Sequence, residues 1–155
     1  MANKRGSIQM TTEEIDAFLT GRHVMNIATI GPSGHPHLVA MWFAMIDGKP
    51  AFWTFGKSQK INNLRRDAKI TALVEDGEQY NELRGVELVG TGRIIEDYDE
   101  ILNIGLVVAE KYNGEIAVSE AALPFVRKQA EKRLGVVIDV EKIVSWDHNK
   151  LGGGY

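Results

Sequence analysis

Cysteine is missing from the chain altogether. That one absence excludes disulfide frameworks, thiolate-held zinc, iron–sulfur clusters and thiol nucleophiles. Long apolar runs are missing too. The longest, LVAMWFAMI at positions 38–46, has nine residues, against the roughly 20 that a membrane-spanning helix requires. The basic residues of the opening MANKRGSIQM are followed by no apolar stretch, so no secretory signal is expected and the expected location is the cytoplasm. Nor is there an excess of positive charge. Eighteen Lys and Arg against 21 Asp and Glu leave a net charge of −3, which argues against a dedicated nucleic-acid binder. No repeat and no linker interrupts the 155 residues. They are expected to form a single compact domain, 1–155, ending in a glycine-rich tail at 147–155.

What is present reads as alternating strands with a few helices. In TTEEIDAFLTG, Thr11 and Glu14 have the spacing of a capping box, which predicts a helix over 12–19. HVMNIATI and HLVAMWFAM are rich in β-formers, and the turn-dense GPSGHP between them predicts a hairpin. The Asp-Gly turn in IDGK then leads antiparallel into PAFWTF. KITALVE and the long RGVELVGTGRIIE predict strands four and five, with Gly90 and Gly92 as bulge or bend points. Helices are expected over 97–112 and 124–133, before GVVIDVEKIVSW returns as a sixth strand. Six mostly antiparallel strands with helices at the edges fit a closed or nearly closed barrel better than a sandwich.

The densest charge lies in TFGKSQKINNLRRDAK, positions 54–69, which holds five of the eighteen Lys and Arg residues. A strand ends there, a short turn follows and a helix begins. A helix start offers unpaired amides and a partial positive charge to an anion. Thr54 and Ser58 add hydroxyls, Lys57 and Lys60 add charge, and Gly56 allows close backbone approach, which together describe a phosphate pocket. The plainer alternative is a solvated amphipathic helix in which Ser58 is the N-cap, Ile61 and Leu64 are buried and Arg65, Arg66 and Lys69 face water. Neither a P-loop nor a dinucleotide fingerprint is present.

Other patterns are weaker. His35 and His37 share a strand face, but no third metal ligand is evident, and no metal is expected. GPSGH is not a nucleophile elbow. Asp147 and His148 point apart on extended backbone, which favours a covering or packing tail rather than an acid–base pair. Trp42, Phe43, Phe52 and Trp53 are better explained by packing than as a base-stacking platform.

The order of elements carries a resemblance. WFAMIDGKPAFWTFGKSQKINNLRRDAKITALVEDG, then YNELRGVELVGTGRI and the closing SWDHNKLGGGY, resemble the pyridoxamine-phosphate-oxidase-like family of flavin-binding split β-barrels, and most of all its actinobacterial branch that uses the deazaflavin coenzyme F420. The resemblance covers nearly the whole chain. It implies a six-stranded antiparallel split barrel, mainly β with flanking helices. It places the cofactor phosphate on Thr54, Lys57, Ser58, Lys60 and Asn63, and the ring along the strand of Val39, Ala40 and Met41 with Trp53 beside it. It also implies a homodimer with cofactor sites at the subunit interface, a loop at 75–85 reaching the partner's cofactor, and no obligatory catalytic side chain.

Where true pyridoxamine phosphate oxidases carry basic residues on the ring-contacting strand and an Arg before the phosphate-binding Lys, this chain has Leu38, Phe43 and Gln59. Their Arg-x-His element near the C-terminus is missing as well. Vitamin B6 oxidation is therefore not expected. The resemblance points instead to hydride transfer from reduced F420 to a small conjugated or electron-poor substrate, with Arg65 and Arg66 facing the coenzyme's polyanionic tail. The alternatives it leaves open are an FMN-dependent oxidoreductase of the same fold and a non-catalytic flavin or haem binder. No convincing axial-ligand context surrounds His35, His37 or His148.

Overall fold

Thr11 caps the first long helix as its sequence predicts. Its hydroxyl accepts from the Glu14 amide at 3.2 Å, and the Glu14 carboxylate accepts from the Thr11 amide at 2.7 Å. The computed structural model describes residues 4–21 and 23–152, so Gly153, Gly154 and Tyr155 of the expected tail lie outside the described residues. A one-turn α1 (Lys4–Ser7) precedes that helix, α2 (Thr12–Thr20). Strands β1 (Met25–Ile30), β2 (Pro36–Met41), β3 (Ala44–Ile46) and β4 (Lys49–Phe55) follow, then α3 (Gln59–Arg66), β5 (Lys69–Asp76) and β6 (Arg84–Ile95). The chain continues through α4 (Tyr98–Asn113) and α5 (Leu123–Ala130) into β7 (Arg133–Asp147).

Seven strands, not six, form one antiparallel sheet in the order β2-β1-β5-β6-β7-β4-β3. The extra strand comes from the apolar run at 37–45, which its β-former pattern predicts as one strand. It breaks at Trp42 and Phe43 into β2 and β3, which pair with different partners. A run with no turn residue gives no sign of such a break. Its consequence is closure, because β2 and β3 are the two outer strands of the sheet and Met41 lies three residues from Ala44. Three virtual bonds span no more than about 11 Å, so the sheet curls until its two edges meet. No ladder joins β2 to β3, and that seam is the split of the barrel.

Period-two alternation divides the apolar residues between two cores. Met25, Ile27, Phe43, Phe52, Ala72, Val74, Val86, Leu88 and Ile138 fill the barrel interior. On the outer face, α4 lays Ile101, Ile104 and Val108 against Ala44, Ala51 and Ile95. The i, i+3, i+7 spacing of those three places them on one helix stripe. α5 ends at Ala130, earlier than the expected 133, and Arg133 opens β7 instead.

The long β6–β7 ladder shifts register between Val89 and Gly90, at one of the two glycines expected to bend it. A Cβ at Gly90 would sit 2.1 Å from the carbonyl oxygen of Asp139, so the backbones approach more closely there than any side chain allows. Gly90→Ala is expected to destabilise the protein by about 2 kcal/mol. An unchanged urea midpoint for that variant would show that the bulge relaxes without cost.

Candidate functional site

One end of the barrel holds a polar cluster where alternation alone would put apolar side chains. On β4, Phe52 and Thr54 turn inward while Ala51 and Trp53 turn outward. Thr54 is buried, and its hydroxyl accepts a 3.0 Å hydrogen bond from Lys60 Nζ. Lys60 is only 9% exposed. Among the described residues no carboxylate pairs with it, and burial pulls its pKa below the usual lysine value. A buried ammonium with one hydroxyl partner is an unbalanced charge, stabilised by any anion that reaches it.

Asn63, fully buried on α3, donates to Thr29 Oγ1 at 3.0 Å and accepts from Gln59 Nε2 at 2.7 Å. Arg66 adds a 3.2 Å bond to the same Asn63 oxygen and also donates to the Ile30 carbonyl. Thr29 was not among the residues singled out in the sequence. The available signal was a hydroxyl in the buried phase of MNIATI, after Met25 and Ile27.

The start of α3 is open. Ser58 stands at its N-cap, but the hydroxyl makes no capping bond, contrary to the plain amphipathic-helix reading. The amides of Gln59, Lys60 and Ile61 come before the first helical bond, Asn62 N to Ser58 O at 3.2 Å. The Gly56 and Ser58 amides are already used, on Lys132 O and Phe55 O. Among the described residues, two buried side-chain polar atoms lack a partner: Ser58 Oγ and His37 Nδ1. Both belong to this end of the barrel, because His37 pairs across the ladder with Thr29, the residue that Asn63 of α3 holds. An open helix start, an orphan hydroxyl and an uncompensated lysine are what a phosphate monoester would satisfy.

Of the other expected site residues, Ala40, Met41 and Trp53 come together in one cleft, while Lys57 and Val39 lie apart from it. Lys57 is exposed beside the helix start and makes no hydrogen bond or ion pair among the described residues. Val39 turns into the barrel core with Met41 packed near it, whereas Ala40 faces outward. Trp53 lies on the far side of β4 from Thr54, against Gly105 of α4, where a Cβ would come within 2.5 Å of the indole. Ala40, Met41, Trp42 and Trp53 line one cleft there, which contains none of the α3 residues.

Arg65 is engaged with Glu96 at 2.9 Å. Asp147 and His148 do not form a pair: Asp147 accepts from Asn149, and the His148 ring meets the Tyr80 carbonyl at 2.7 Å. The turn after β7 is anchored rather than loose, since Lys150 donates to the Gln9 carbonyl at 2.8 Å and to Glu14. Among the described residues no group of three potential ligands for a metal occurs, and no helix is long and apolar enough to cross a membrane.

Sequence comparison matches residues 11–147 to the family described as pyridoxamine 5'-phosphate oxidase. Among solved structures, a conserved hypothetical protein, Rv2991 of Mycobacterium tuberculosis, shares 42% identity over 97% of this chain and 93% of its own, with a TM-score of 0.91. A protein described as an F420 reductase superposes with a TM-score of 0.65 at 22% identity, covering 83% of this chain and 94% of its own. HutZ, the haem storage protein of Vibrio cholerae, gives 0.65 at 15% identity over 86% and 94%. The last two bear on fold alone. No curated protein matches the sequence.

The uncompensated lysine yields a sign that can be checked. Because burial lowers the folded-state pKa of Lys60 below its unfolded value, the cost of keeping it charged is present in full below the folded pKa. It disappears as pH rises toward the unfolded value. Lys60→Met is therefore expected to make the ligand-free protein more stable by about 1 kcal/mol at neutral pH. That advantage should shrink as the pH climbs into the alkaline range. Thermal melts across pH measure it, and a variant less stable than the parent at neutral pH would mean that Lys60 is already compensated.

Proposed function

The chain belongs to the pyridoxamine 5'-phosphate oxidase family, a flavin-binding split-barrel fold, and within it we propose an oxidoreductase that holds the deazaflavin coenzyme F420 by its phosphate at the start of α3. The observation that carries this reading is Lys60, a buried cation without a counter-charge beside an uncapped helix start and an orphan Ser58 hydroxyl. These residues fit the group. Lys60, Ser58, Thr54 and the first-turn amides of α3 would hold the phosphate, with Asn63 keeping the helix seated on β1. When bound and reduced, such a cofactor supplies a hydride to an electron-poor carbon.

The chain's own contribution is to bind, orient and exclude water. Lys57 stands exposed beside the phosphate position and Arg66 lies at the far end of α3, about two helical turns on, so they supply positive potential toward a longer anionic tail. Arg65 contributes less to it, being paired with Glu96. Among the described residues no carboxylate hydrogen-bonds or ion-pairs with Thr54, Ser58, Lys60 or Asn63, and the proposed proton source is solvent.

A homodimer belongs to the same proposal. The outward residues of β2, β1, β5 and β6 form cross-strand rows, one of which runs Leu38, Ala28, Thr71, Val89. Leu38 is 69% exposed, and Ala28, Thr71 and Val89 are half-buried. A small-to-apolar sheet face of this kind suits a second copy of the chain.

Three measurements test the reading. Lys60→Ala is expected to weaken cofactor binding by about 1.5 to 3 kcal/mol, the scale of a charge-assisted hydrogen bond. Unchanged affinity in a titration would remove Lys60 from the site. Affinity for F420 should fall more steeply with salt than affinity for FMN, because only F420 carries the extra carboxylates. Tighter FMN binding at physiological ionic strength would transfer the assignment to FMN. Light scattering at micromolar concentration should give a dimer, and a monomer that still retains cofactor would sink the shared-interface arrangement.

A further inference from the structure

The last turn of α4 carries an amine that neither the α3 cradle nor the outer cleft uses. Lys111 is half-buried and is not among the residues that line the cleft. Its Nζ lies 3.8 Å from the centre of the Phe43 ring and 5.3 Å from that of Tyr112. It donates one hydrogen bond, of 3.1 Å, to the Leu19 carbonyl near the end of α2. Two ring faces and one carbonyl thus stand where a compact, strongly hydrated ammonium would otherwise keep water.

No carboxylate offsets that loss. Among the described residues Lys111 makes no ion pair. Asp76 and Lys111 both act on His23, but that carboxylate is taken by Arg84 at 2.7 Å. Burial pulls the Lys111 pKa down to about 8. At neutral pH about a tenth of the molecules then carry a free amine, against roughly one in 2,000 for an ordinary lysine.

A lysine freed of its proton in apolar surroundings is a nucleophile toward a carbonyl carbon. Which product the site holds best follows from the same contacts. An amide would lose the positive charge and with it the attraction of the two rings. A protonated imine keeps a cation over Phe43 and Tyr112 and one N–H for the Leu19 carbonyl. Apolar surroundings also favour a reagent that brings no charge of its own.

We propose that Lys111 captures small uncharged aldehydes as a reversible imine. The amine nitrogen attacks the carbonyl carbon, the carbon–oxygen bond of the resulting carbinolamine breaks, and the oxygen leaves as water. The nitrogen loses two protons in that exchange and takes one back from solvent, so no oxidant or reductant is consumed. Lys60, whose pKa burial also lowers, is not equivalent. It is only 9% exposed and bonded to Thr54 inside the barrel end, which denies an aldehyde its approach. The inference is independent of the cofactor reading and is tested on the cofactor-free protein.

The protein is treated at neutral pH with limiting butyraldehyde and cyanoborohydride, which reduces the imine to a stable secondary amine. Digestion and mass spectrometry then give a rate for each lysine, with the α-amino group counted apart. Lys111 is expected to react about tenfold faster than the exposed Lys57, the gain in free amine being partly offset by burial. In guanidinium chloride, where the rings and the carbonyl no longer surround it, the two rates should agree within about twofold. Three results would overturn the proposal: a folded-state rate for Lys111 less than about three times that of Lys57, a faster reaction at Lys60, or a preference that survives unfolding.

Discussion

Everything in this structure follows from the passage through Trp42 and Phe43, which carries the chain from one edge of the sheet to the other. So short a connection between the two outer strands forces the sheet to curl and sets the diameter of what it encloses. Phe43 points inward as a fully buried member of the interior core, while Trp42 stays outside against Tyr112. The Tyr112 hydroxyl ties the seam from outside, since it accepts from the Phe43 amide and donates to the His23 carbonyl. Through it α4 is attached to the split, and with α4 comes one wall of the outer cleft.

A barrel closed in this way has apolar walls along its length and must end somewhere polar. At the α3 end the polarity is concentrated in Thr29, Thr54, Lys60 and Asn63, all buried. Such a cluster is costly when partly satisfied, because each unpaired group has lost its water without a replacement. The hydrogen bonds from Asn63 to Thr29 and from Lys60 to Thr54 seat the helix on two strands at once. What remains unmatched there is a positive charge and a hydroxyl. The local strain on stability and the capacity to hold an anion therefore have one origin.

Much of this was legible in the sequence, and the exceptions have identifiable reasons. The capping box at Thr11 and Glu14, the turn at Asp47 and Gly48, and the bulge at Gly90 are local signals, and all three are present in the structure. The α3 segment was visible as a helix start with a cluster of cations. The break at Trp42 was not visible, because strand partners are chosen by closure and not by any residue within the run. Arg133 was hidden for another reason. It was assigned to the end of a helix, whereas α5 stops at Ala130 and the residue opens a strand across from Phe55. Its place over Trp53 depends on a pairing distant in sequence.

Strand β4 shows why the polar cradle and the outer cleft can lie so near one another without merging. Side chains alternate with a period of two, so Thr54 faces the cradle and Trp53 and Phe55 face the outer side, although the three are consecutive. A slip of one residue against β7 would exchange the faces and put an indole in the barrel end and a hydroxyl under α4. The register that prevents this is held from outside the strand. Gly105 leaves room on α4 for the Trp53 ring, since even a methyl group there would come within 2.5 Å of the indole. Phe55 meanwhile sits across from Arg133, whose guanidinium lies over both aromatic rings. The contacts that fix the strand are thus contacts that shape the outer cleft, and the cradle on the other face inherits its geometry from them.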